Sequence, residues 1–379
     1  MKVACLNPIA QVGLKRFGEG YELDAPLEQA EVALVRSANL HETALPSQLL
    51  AIGRAGAGVN NIPLERCAQQ GIVVFNTPGA NANAVKELVL AGMLLCCRDL
   101  LGGMDWVHSH KDSAQIAAET EKAKKQFAGF ELVGKRLGIV GLGTIGIKLA
   151  NAAVALGMEV RGYTLPLPQG EIPGLNPAVR LLDSPEELYA QSDFISLHLP
   201  LLADNAGMIS QQVLDTMKPN AVLLNFSRDK LVDEEAVVRA LQEGKLGRYV
   251  TDFPNPTVAG AEGVLVLPHL GASTQEAEDV CACMAVDEIK EYVEQGNLVH
   301  SVNFPPCSIG EKTDLPRICV LSKGVPADQL LEGMKVQTFK QAEGKEFGYL
   351  VADLAQKPEL GEIERLESTP GVIRVRLIP

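Results

Sequence analysis

The sequence lacks the features that mark membrane, secreted and nucleic-acid-binding proteins. No apolar run approaches the roughly 20 residues that a membrane-spanning helix needs, and the amino-terminal residues lack the apolar core of a signal peptide. With a formal net charge of −13, the chain has no basic patch that could neutralise the phosphates of a nucleic acid. These absences predict a cytoplasmic protein that binds neither membranes nor nucleic acids.

The eight cysteines include no Cys-x-x-Cys pair of the kind that holds a structural zinc ion. In a chain without a secretion signal, scattered cysteines are typical of reduced, mostly buried thiols. We therefore expect no metal site.

Material for hydrophobic cores is plentiful. The 379 residues are 46% hydrophobic and 21% charged, which is typical of a compact enzyme with two or three domains. Short apolar strands alternate with helical stretches over residues 1–100 and again over 135–267, which predicts an α/β fold with two doubly wound, Rossmann-like parallel sheets. Residues 81 to about 110 form one predicted helix, apolar enough to suggest packing against another subunit. The pattern βαββαβ over 317–379 predicts a terminal ferredoxin-like module.

A glycine turn gives the most specific local signal. Residues 141–146 (GLGTIG) match G-x-G-x-x-G, follow a predicted strand and open a predicted helix. In such a turn, Gly141 would form the bend, Gly143 would let a pyrophosphate approach the backbone, and Gly146 would pack helix against strand. The turn predicts a dinucleotide site. Thr164 stands where an acidic residue usually binds the adenosine ribose, so we expect NAD with weakened discrimination against NADP.

Two polar residues stand where reaction chemistry is expected. Arg228 follows a predicted strand at 221–226, at the sheet edge where ligands of such folds bind. Its guanidinium can hold the carboxylate of a 2-oxo acid and polarise the carbonyl for hydride attack. His269 lies between a strand and a helix, and its imidazole can exchange a proton with the alkoxide.

Over nearly its whole length, the chain resembles the D-isomer-specific 2-hydroxyacid dehydrogenases. The matching segments, besides the glycine turn, are 53–61 (GRAGAGVNN), 76–81 (NTPGAN), 225–233 (NFSRDKLVD), 268–274 (PHLGAST) and 301–305 (SVNFP). The resemblance implies a discontinuous substrate-binding domain (1–98 and 272–302), an NAD-binding Rossmann domain (99–271), a linker (303–316) and an ACT-like regulatory or oligomerisation domain (317–379).

The activity that this resemblance implies is NAD-dependent oxidation of 3-phosphoglycerate to 3-phosphohydroxypyruvate, the first step of serine biosynthesis, by a homodimer or homotetramer. Because the whole chain is acidic, the anionic substrate would need its own local cations. Two alternatives stay open. One is reduction of another small 2-oxo acid, such as glyoxylate or hydroxypyruvate, with NADH or NADPH. The other is a weakly catalytic, NAD-sensing scaffold.

The resemblance also implies roles for individual residues. Arg228 and His269 would be catalytic, and Asp252 would lie near the nicotinamide carboxamide. The residues implied to bind the cofactor are Thr77, Gly141, Gly143, Thr144, Ile145, Gly146, Thr164, Leu199, Pro200, Phe226, Ser227, Arg228, Asp252, His269, Gly271 and Ala272. Those implied to bind the substrate are Arg36, Arg54, Ala55, Gly56, Ala57, Gly58, Val59 and Asn81, with Arg36 and Arg54 as the cations for its phosphate.

Two departures from the family pattern stand out. The family places a glutamate a few residues after the aspartate, where it hydrogen-bonds the catalytic histidine; here Asn255 stands in its place. Asn255 could orient the imidazole without stabilising its charge, or Glu262 could substitute, and we expect slower chemistry at neutral pH. In the terminal module, residues 321–326 (LSKGVP) replace the His-x-Asn-x-Pro-Gly type of turn, which favours oligomerisation over serine sensing.

Overall fold

The computed structural model describes residues 1–379, which form two compact units. The first unit comprises Met1–Asn81 with Thr274–Pro379, and the second comprises Ala82–Ser273. No helix combines the length and the apolar character that crossing a membrane requires. All eight cysteines are free thiols and five are buried, as the sequence predicts.

The first unit begins with four parallel strands in the order β1-β2-β3-β4. The strands consist mostly of buried Val, Ile, Leu and Ala, as expected for parallel strands covered on both faces. The elements are β1 (Val3–Cys5), α1 (Gln11–Leu14), β2 (Val32–Val35), β3 (Ala51–Arg54), α2 (Leu64–Gln69) and β4 (Val73–Phe75), with a 3-10 turn at Leu27–Gln29. Because the strands are parallel, Arg54 at the end of β3 and Arg36 just after β2 lie at the same edge.

The second unit contains seven parallel strands in the order β11-β10-β9-β8-β5-β6-β7. The strands are β5 (Arg136–Val140), β6 (Glu159–Tyr163), β7 (Arg180–Leu181), β8 (Phe194–Leu197), β9 (Ala221–Asn225), β10 (Leu246–Thr251) and β11 (Val264–Val266). The helices are α3 (Ala82–Cys97), α4 (Leu100–Ser109), α5 (Ile116–Ala123), α6 (Thr144–Ala155), α7 (Pro185–Gln191), α8 (Gln211–Thr216) and α9 (Glu234–Gln242), with 3-10 turns at Lys124–Phe127 and Asp229–Leu231. The strand order reverses between β5 and β8, the switch point at which ligands of such sheets bind.

The single helix predicted from 81 to about 110 is wrong, because the chain breaks between α3 and α4. Asp99 caps α4 by accepting a hydrogen bond from the Gly102 N–H. The apolar side of α3, including Val85, Val89 and Met93, is buried against α6 and β9 in the core of the second unit. Packing within the unit therefore accounts for the apolar character of α3.

The compact units divide the chain differently from the predicted domains. Because α3 packs inside the second unit, that unit begins at Ala82 and not at residue 99. The chain returns to the first unit at Thr274, two residues later than the predicted position of 272. The terminal module belongs to the first unit. The predicted linker has no helix or strand. Cys307 within it is nevertheless buried and forms an isolated antiparallel β-bridge with Leu298.

Helix α10 (Gln275–Gln295) carries the chain back through the first unit. Thr274 caps it by accepting from the Ala277 N–H. Its buried side chains, among them Cys281, Ala285 and Ile289, belong to the core that also contains β2, β3 and β4. The helix ends at Gly296, whose left-handed conformation (φ 73°) closes the last turn.

The terminal module has the βαββαβ order that the sequence predicts, and its four antiparallel strands lie in the order β13-β14-β12-β15. Its elements are β12 (Arg317–Ser322), α11 (Ala327–Leu330), β13 (Val336–Glu343), β14 (Gly348–Leu354), α12 (Leu360–Ser368) and β15 (Val372–Ile378). One side of the sheet, including Ile318 and Leu350, forms the module's own core. The other side, including Cys319 and Tyr349, joins the core around α10. The module is therefore buried against the first unit.

Arg317 anchors this arrangement from a fully buried position. Its Nε and Nη2 donate to the two carboxylate oxygens of Asp353 at 2.7 and 3.0 Å. Its Nη1 donates to the carbonyl oxygens of Gln295 at 2.6 Å and Gly310 at 2.9 Å. A buried guanidinium is tolerated when its donors are satisfied in this way, and here it connects β12 to the end of α10 and to the predicted linker.

Two arginines of β15 hold the same side of the sheet. Arg376 donates to the carbonyl oxygens of Tyr292 and Val293 in the last turn of α10 and lies 4.4 Å from the centre of the Tyr292 ring. Arg374 donates to the carbonyl oxygens of Leu49 and Ser47, which precede β3. Both side chains thus donate to backbone carbonyls of the segments against which β15 packs.

Replacing Gly296 with alanine tests this packing. A Cβ at Gly296 would lie 2.6 Å from the Cys319 sulfur, so the variant suffers overpacking in addition to backbone strain. We expect Gly296→Ala to lower the free energy of unfolding of the first unit by about 2–4 kcal/mol. Gly18 is the matched control, since its φ is 72° and a Cβ there meets nothing within 4 Å. Gly18→Ala should cost only the strain, about 1 kcal/mol. Urea unfolding measures both, and equal losses would contradict the packing at Gly296.

Candidate active site

The glycine turn between β5 and α6 has the geometry that the sequence predicts. Gly141 has φ 99°, and a Cβ there would lie 2.3 Å from the His198 carbonyl oxygen. A Cβ at Gly146 would lie 2.1 Å from the Gly141 carbonyl oxygen. A Cβ at Gly143, in contrast, would meet no atom within 4 Å. The outer glycines are thus required by packing, whereas the middle one faces open space.

The amino-terminal end of α6 suits an anion. No side chain caps this helix, so the first N–H groups of α6 have no side-chain acceptor. The positive end of the helix dipole adds to their attraction for negative charge. Together with the open space at Gly143, this end of α6 fits the pyrophosphate of a dinucleotide.

The other residues assigned to the cofactor gather at the carboxyl ends of the second sheet, with one exception. Thr164 follows β6, Leu199 and Pro200 follow β8, and Phe226 and Ser227 follow β9. Asp252 follows β10, and the loop with His269, Gly271 and Ala272 comes after β11. The exception is Thr77, which is fully buried in the first unit.

His198 is a second histidine near the turn, but its environment is structural. It is buried, and its Nε2 lies 2.8 Å from the Ser196 hydroxyl. Burial lowers the pKa of this imidazole to about 4, so it stays neutral at physiological pH. Its backbone carbonyl, and not its imidazole, is the group that leaves no room for a Cβ at Gly141.

Arg228 is held by its neighbours at the end of β9. The fully buried Asn225 donates from its side chain to the Arg228 carbonyl oxygen at 2.8 Å. The Arg228 guanidinium donates to the Ser227 carbonyl oxygen at 2.6 Å, and the Ser227 hydroxyl donates to the Leu197 carbonyl oxygen at 2.6 Å. Asn225 is a positioning residue that lies in the matching segment 225–233 but was given no role of its own in the sequence analysis.

His269 lies on an exposed loop that is fastened to Asp252. Its backbone N–H donates to the Asp252 carbonyl oxygen at 3.0 Å, and its φ is 51°, in the left-handed region. The Gly271 N–H donates to the Asp252 carboxylate at 3.0 Å. The Phe253 ring meets the imidazole edge to face, with ring centres 5.2 Å apart. These contacts bring the Asp252 carboxylate beside the imidazole.

The Asp252 carboxylate is buried but only half satisfied. The residue is 2% exposed, and its Oδ1 has no hydrogen-bond partner. Burial raises the pKa of this carboxyl, while the Gly271 N–H and the nearby His269 act to lower it. An unpaired buried acceptor fits a ligand that brings a donor, such as the nicotinamide carboxamide that the family resemblance places there.

Neither replacement expected for the missing glutamate contacts the imidazole. The Asn255 amide donates to Glu234 at 2.6 Å, and its oxygen accepts from the N–H groups of Thr257 and Val258. Glu262 is exposed and makes no hydrogen bond or ion pair. Both expectations are wrong for the same reason, since the loop after Asp252 turns back on itself. The carboxylate beside His269 is that of Asp252.

The residues assigned to the substrate lie in the first unit, where the loop after β3 exposes unpaired N–H groups. The N–H groups of Ala55 and Gly56 donate to the carbonyl oxygens of Val35 and Arg54. Those of Ala57, Gly58 and Val59 donate to no group of the protein. Three neighbouring free N–H groups next to an arginine form a site for a carboxylate or phosphate.

Arg36, which the family resemblance assigns to the substrate phosphate, is paired with a carboxylate of the protein. Its Nη2 lies 2.6 Å from Oε1 of Glu278, in the first turn of α10. Asn81 is half-buried, with its side-chain oxygen buried and unpaired. Sequence reasoning missed Glu278 because the residue approaches Arg36 only through the return of α10 to the first sheet.

Several known proteins are similar to this chain in sequence or in structure. Residues 90–271 match the model of the D-isomer specific 2-hydroxyacid dehydrogenase, NAD binding domain. The D-3-phosphoglycerate dehydrogenase of Methanocaldococcus jannaschii is 33% identical over 305 residues, which cover 76% of this chain and 55% of that protein. The hydroxypyruvate reductase of Thermotoga maritima is 33% identical over 281 residues, which cover 71% of this chain and 86% of that protein. The NAD+-bound 3-phosphoglycerate dehydrogenase of Entamoeba histolytica has a similar structure, with a TM-score of 0.64, 26% identity, and coverage of 80% of this chain and 98% of that one.

The chain belongs to the D-isomer specific 2-hydroxyacid dehydrogenase family. The family predicted from the sequence is confirmed, as are the Rossmann-like parallel sheet and an NAD-binding domain. The chain spans about half the length of the Methanocaldococcus relative. Relatives with two different activities match it at the same identity, 33%, so the choice of substrate depends on the chemistry of the site.

Substitutions in the glycine turn should distinguish an effect on cofactor binding from an effect on stability. We expect Gly143→Ala to fold normally and to weaken NADH binding by about tenfold, because its methyl group enters only the space for the pyrophosphate. Gly146→Ala, with backbone 2.1 Å from the new carbon, should instead destabilise the second unit by about 1–3 kcal/mol. Fluorescence titration with NADH and thermal unfolding measure the two effects. A Gly143→Ala variant with unaltered NADH affinity would contradict the assigned cofactor site.

Proposed function

We propose that this chain is an NAD-dependent dehydrogenase that oxidises 3-phosphoglycerate to 3-phosphohydroxypyruvate. The observation that carries the proposal is the edge of the first sheet, where Arg36 and Arg54 lie at adjacent strand ends beside three free N–H groups. A single anion site would be enough for a small monocarboxylic acid. Two arginines and a backbone site suit a substrate with both a carboxylate and a phosphate.

In the proposed reaction, the second unit acts on the carbon that bears the hydroxyl. Arg228 holds the oxygens of the carboxylate and of the developing carbonyl. His269 accepts the hydroxyl proton as the C2–H bond breaks. NAD+, when bound, supplies the acceptor for the hydride. The Asp252 carboxylate stabilises the positive charge that the imidazole gains. Thr164 at the end of β6 adds no negative charge, so we propose NAD as the preferred cofactor without strict exclusion of NADP.

The runner-up is a reductase of hydroxypyruvate or glyoxylate, which the Thermotoga relative favours. It differs from the first proposal in whether the enzyme recognises a phosphate. The scaffold alternative is disfavoured by the fixed positions of Arg228 and His269. Serine biosynthesis as the pathway, and the cytoplasm as the compartment, accompany the first proposal.

We also propose a homodimer or homotetramer and an ACT-like role in assembly for the terminal module. Helix α4 has no buried residue, and the apolar side chains that it exposes are Leu100, Leu101, Met104 and Val107. Strand β13 is an edge strand with mostly exposed residues, which can pair with a second sheet. Both surfaces suit contacts between copies of the chain, and light scattering of the full chain measures the assembly.

Removing the Arg54 side chain tests the proposed substrate. We expect Arg54→Ala to lower kcat/KM for 3-phosphoglycerate by about 10- to 100-fold, because a charged hydrogen-bond donor to the phosphate is lost. Turnover of hydroxypyruvate should change much less. Arg54→Lys is the control, since it keeps the charge but not the two-pronged geometry. Its kcat/KM for 3-phosphoglycerate should lie between those of the wild-type enzyme and of Arg54→Ala. Absorbance at 340 nm follows both reactions. A wild-type enzyme that reduces hydroxypyruvate but does not oxidise 3-phosphoglycerate would exclude the first proposal.

A further inference from the structure

Glu278 occupies an unexpected place at the proposed phosphate site. Its carboxylate pairs with Arg36 at 2.6 Å. Arg36 follows β2, and Arg54 ends β3, so the two cations are neighbours at one sheet edge. Glu278 therefore brings a negative charge to the edge at which both arginines lie.

Cys281 is a buried neighbour of these charges. It lies one turn after Glu278 on α10 and is only 4% exposed. Burial raises the pKa of its thiol, whereas the Thr77 hydroxyl, Arg54 and Arg36 lower it and Glu278 raises it further. Both arginines and the Glu278 carboxylate thus act on the same buried sulfur.

The pair between Arg36 and Glu278 is weak enough to be exchanged. The side chains are 37% and 36% exposed, and a pair of this exposure shifts an equilibrium by less than about fivefold. A phosphate group has more negative charge than a carboxylate and three acceptor oxygens. A phosphate can therefore displace the Glu278 carboxylate from Arg36, whereas a substrate without phosphate has no group that would replace this ion pair.

We propose that Glu278 limits the selectivity of the site for phosphorylated acids by competing with the phosphate for Arg36. This inference rests on the proposed function and adds one specificity-determining residue to it. While Glu278 holds Arg36, the edge does not present a bare cation to other anions. The cost is affinity, because every phosphorylated substrate must break the pair and then tolerate the released carboxylate nearby.

The test compares KM for 3-phosphoglycerate and for D-glycerate in the full chain with saturating NAD+. We expect Glu278→Gln to raise the ratio of KM for D-glycerate to KM for 3-phosphoglycerate by about two- to fivefold. Arg36→Ala should lower this ratio. Adding Glu278→Gln to Arg36→Ala should produce no further change, because the carboxylate acts through Arg36.

A matched control exists on the same helix. Asp287 pairs with Arg16 at 2.7 Å, and both side chains are about half exposed. Asp287→Asn removes an ion pair from α10 away from the sheet edge, so it should leave the KM ratio at its wild-type value. A change equal to that of Glu278→Gln would mean that any charge loss on α10 suffices, and would overturn the proposal.

Inorganic phosphate separates this inference from the proposed function. If Glu278 competes for Arg36, Glu278→Gln should lower the inhibition constant of phosphate by about two- to fivefold, whichever 2-oxo acid the enzyme turns over. An unchanged or raised inhibition constant would overturn the inference. Failure of the wild-type enzyme to oxidise 3-phosphoglycerate would overturn the proposed function alone. An effect of Glu278→Gln that persists in the Arg36→Ala background would also overturn the inference, because Arg36 would not be its route.

Discussion

The packing of helix α10 between two sheets is the constraint on which the first unit depends. On one side, the helix approaches β3 so closely that a Cβ at Gly53 would lie 2.8 Å from Ile289 and 3.2 Å from the Ala285 carbonyl oxygen. At its end, Gly296 leaves room for Cys319 of the terminal sheet. A shift of the helix along its axis would lose the close packing at Gly53 or at Gly296. This position of the helix also fixes Glu278 opposite Arg36, so the proposed limit on selectivity follows from the packing of the core.

Much of the fold could be predicted from the sequence because its signals are local. The glycine turn, the strand-and-helix alternation and the terminal βαββαβ order each depend on residues close together in the chain. The predictions that failed concern contacts between distant segments. Residues 81–110 look like one apolar helix, but α3 is apolar because it covers β9 and α6. Nothing in the residues around Arg36 indicates that a glutamate from α10 will reach it.

The candidate site follows the same division. Strand ends bring Arg228 and the residues assigned to the cofactor, except Thr77, to one edge of one sheet, since parallel strands share an edge. The partner of His269 could not be predicted in this way. A search along the sequence leads to Asn255 and Glu262, but Asn255 is bound to Glu234 and to its own loop. Asp252 approaches through paired loops, with both its backbone and its carboxylate bonded to the segment that carries His269.

An acidic protein that binds an acidic substrate has two electrostatic needs that conflict. With a net charge of −13, the chain must concentrate cations locally, yet exposed cations attract every anion in the cell. Pairing one of two neighbouring arginines with a weakly held glutamate reconciles these needs. In the proposed arrangement, Arg36 becomes available only to a group with enough charge to displace Glu278. The repulsive carboxylate in this scheme offsets part of the attraction of the guanidinium, and every anion that uses Arg36 binds less tightly as a result.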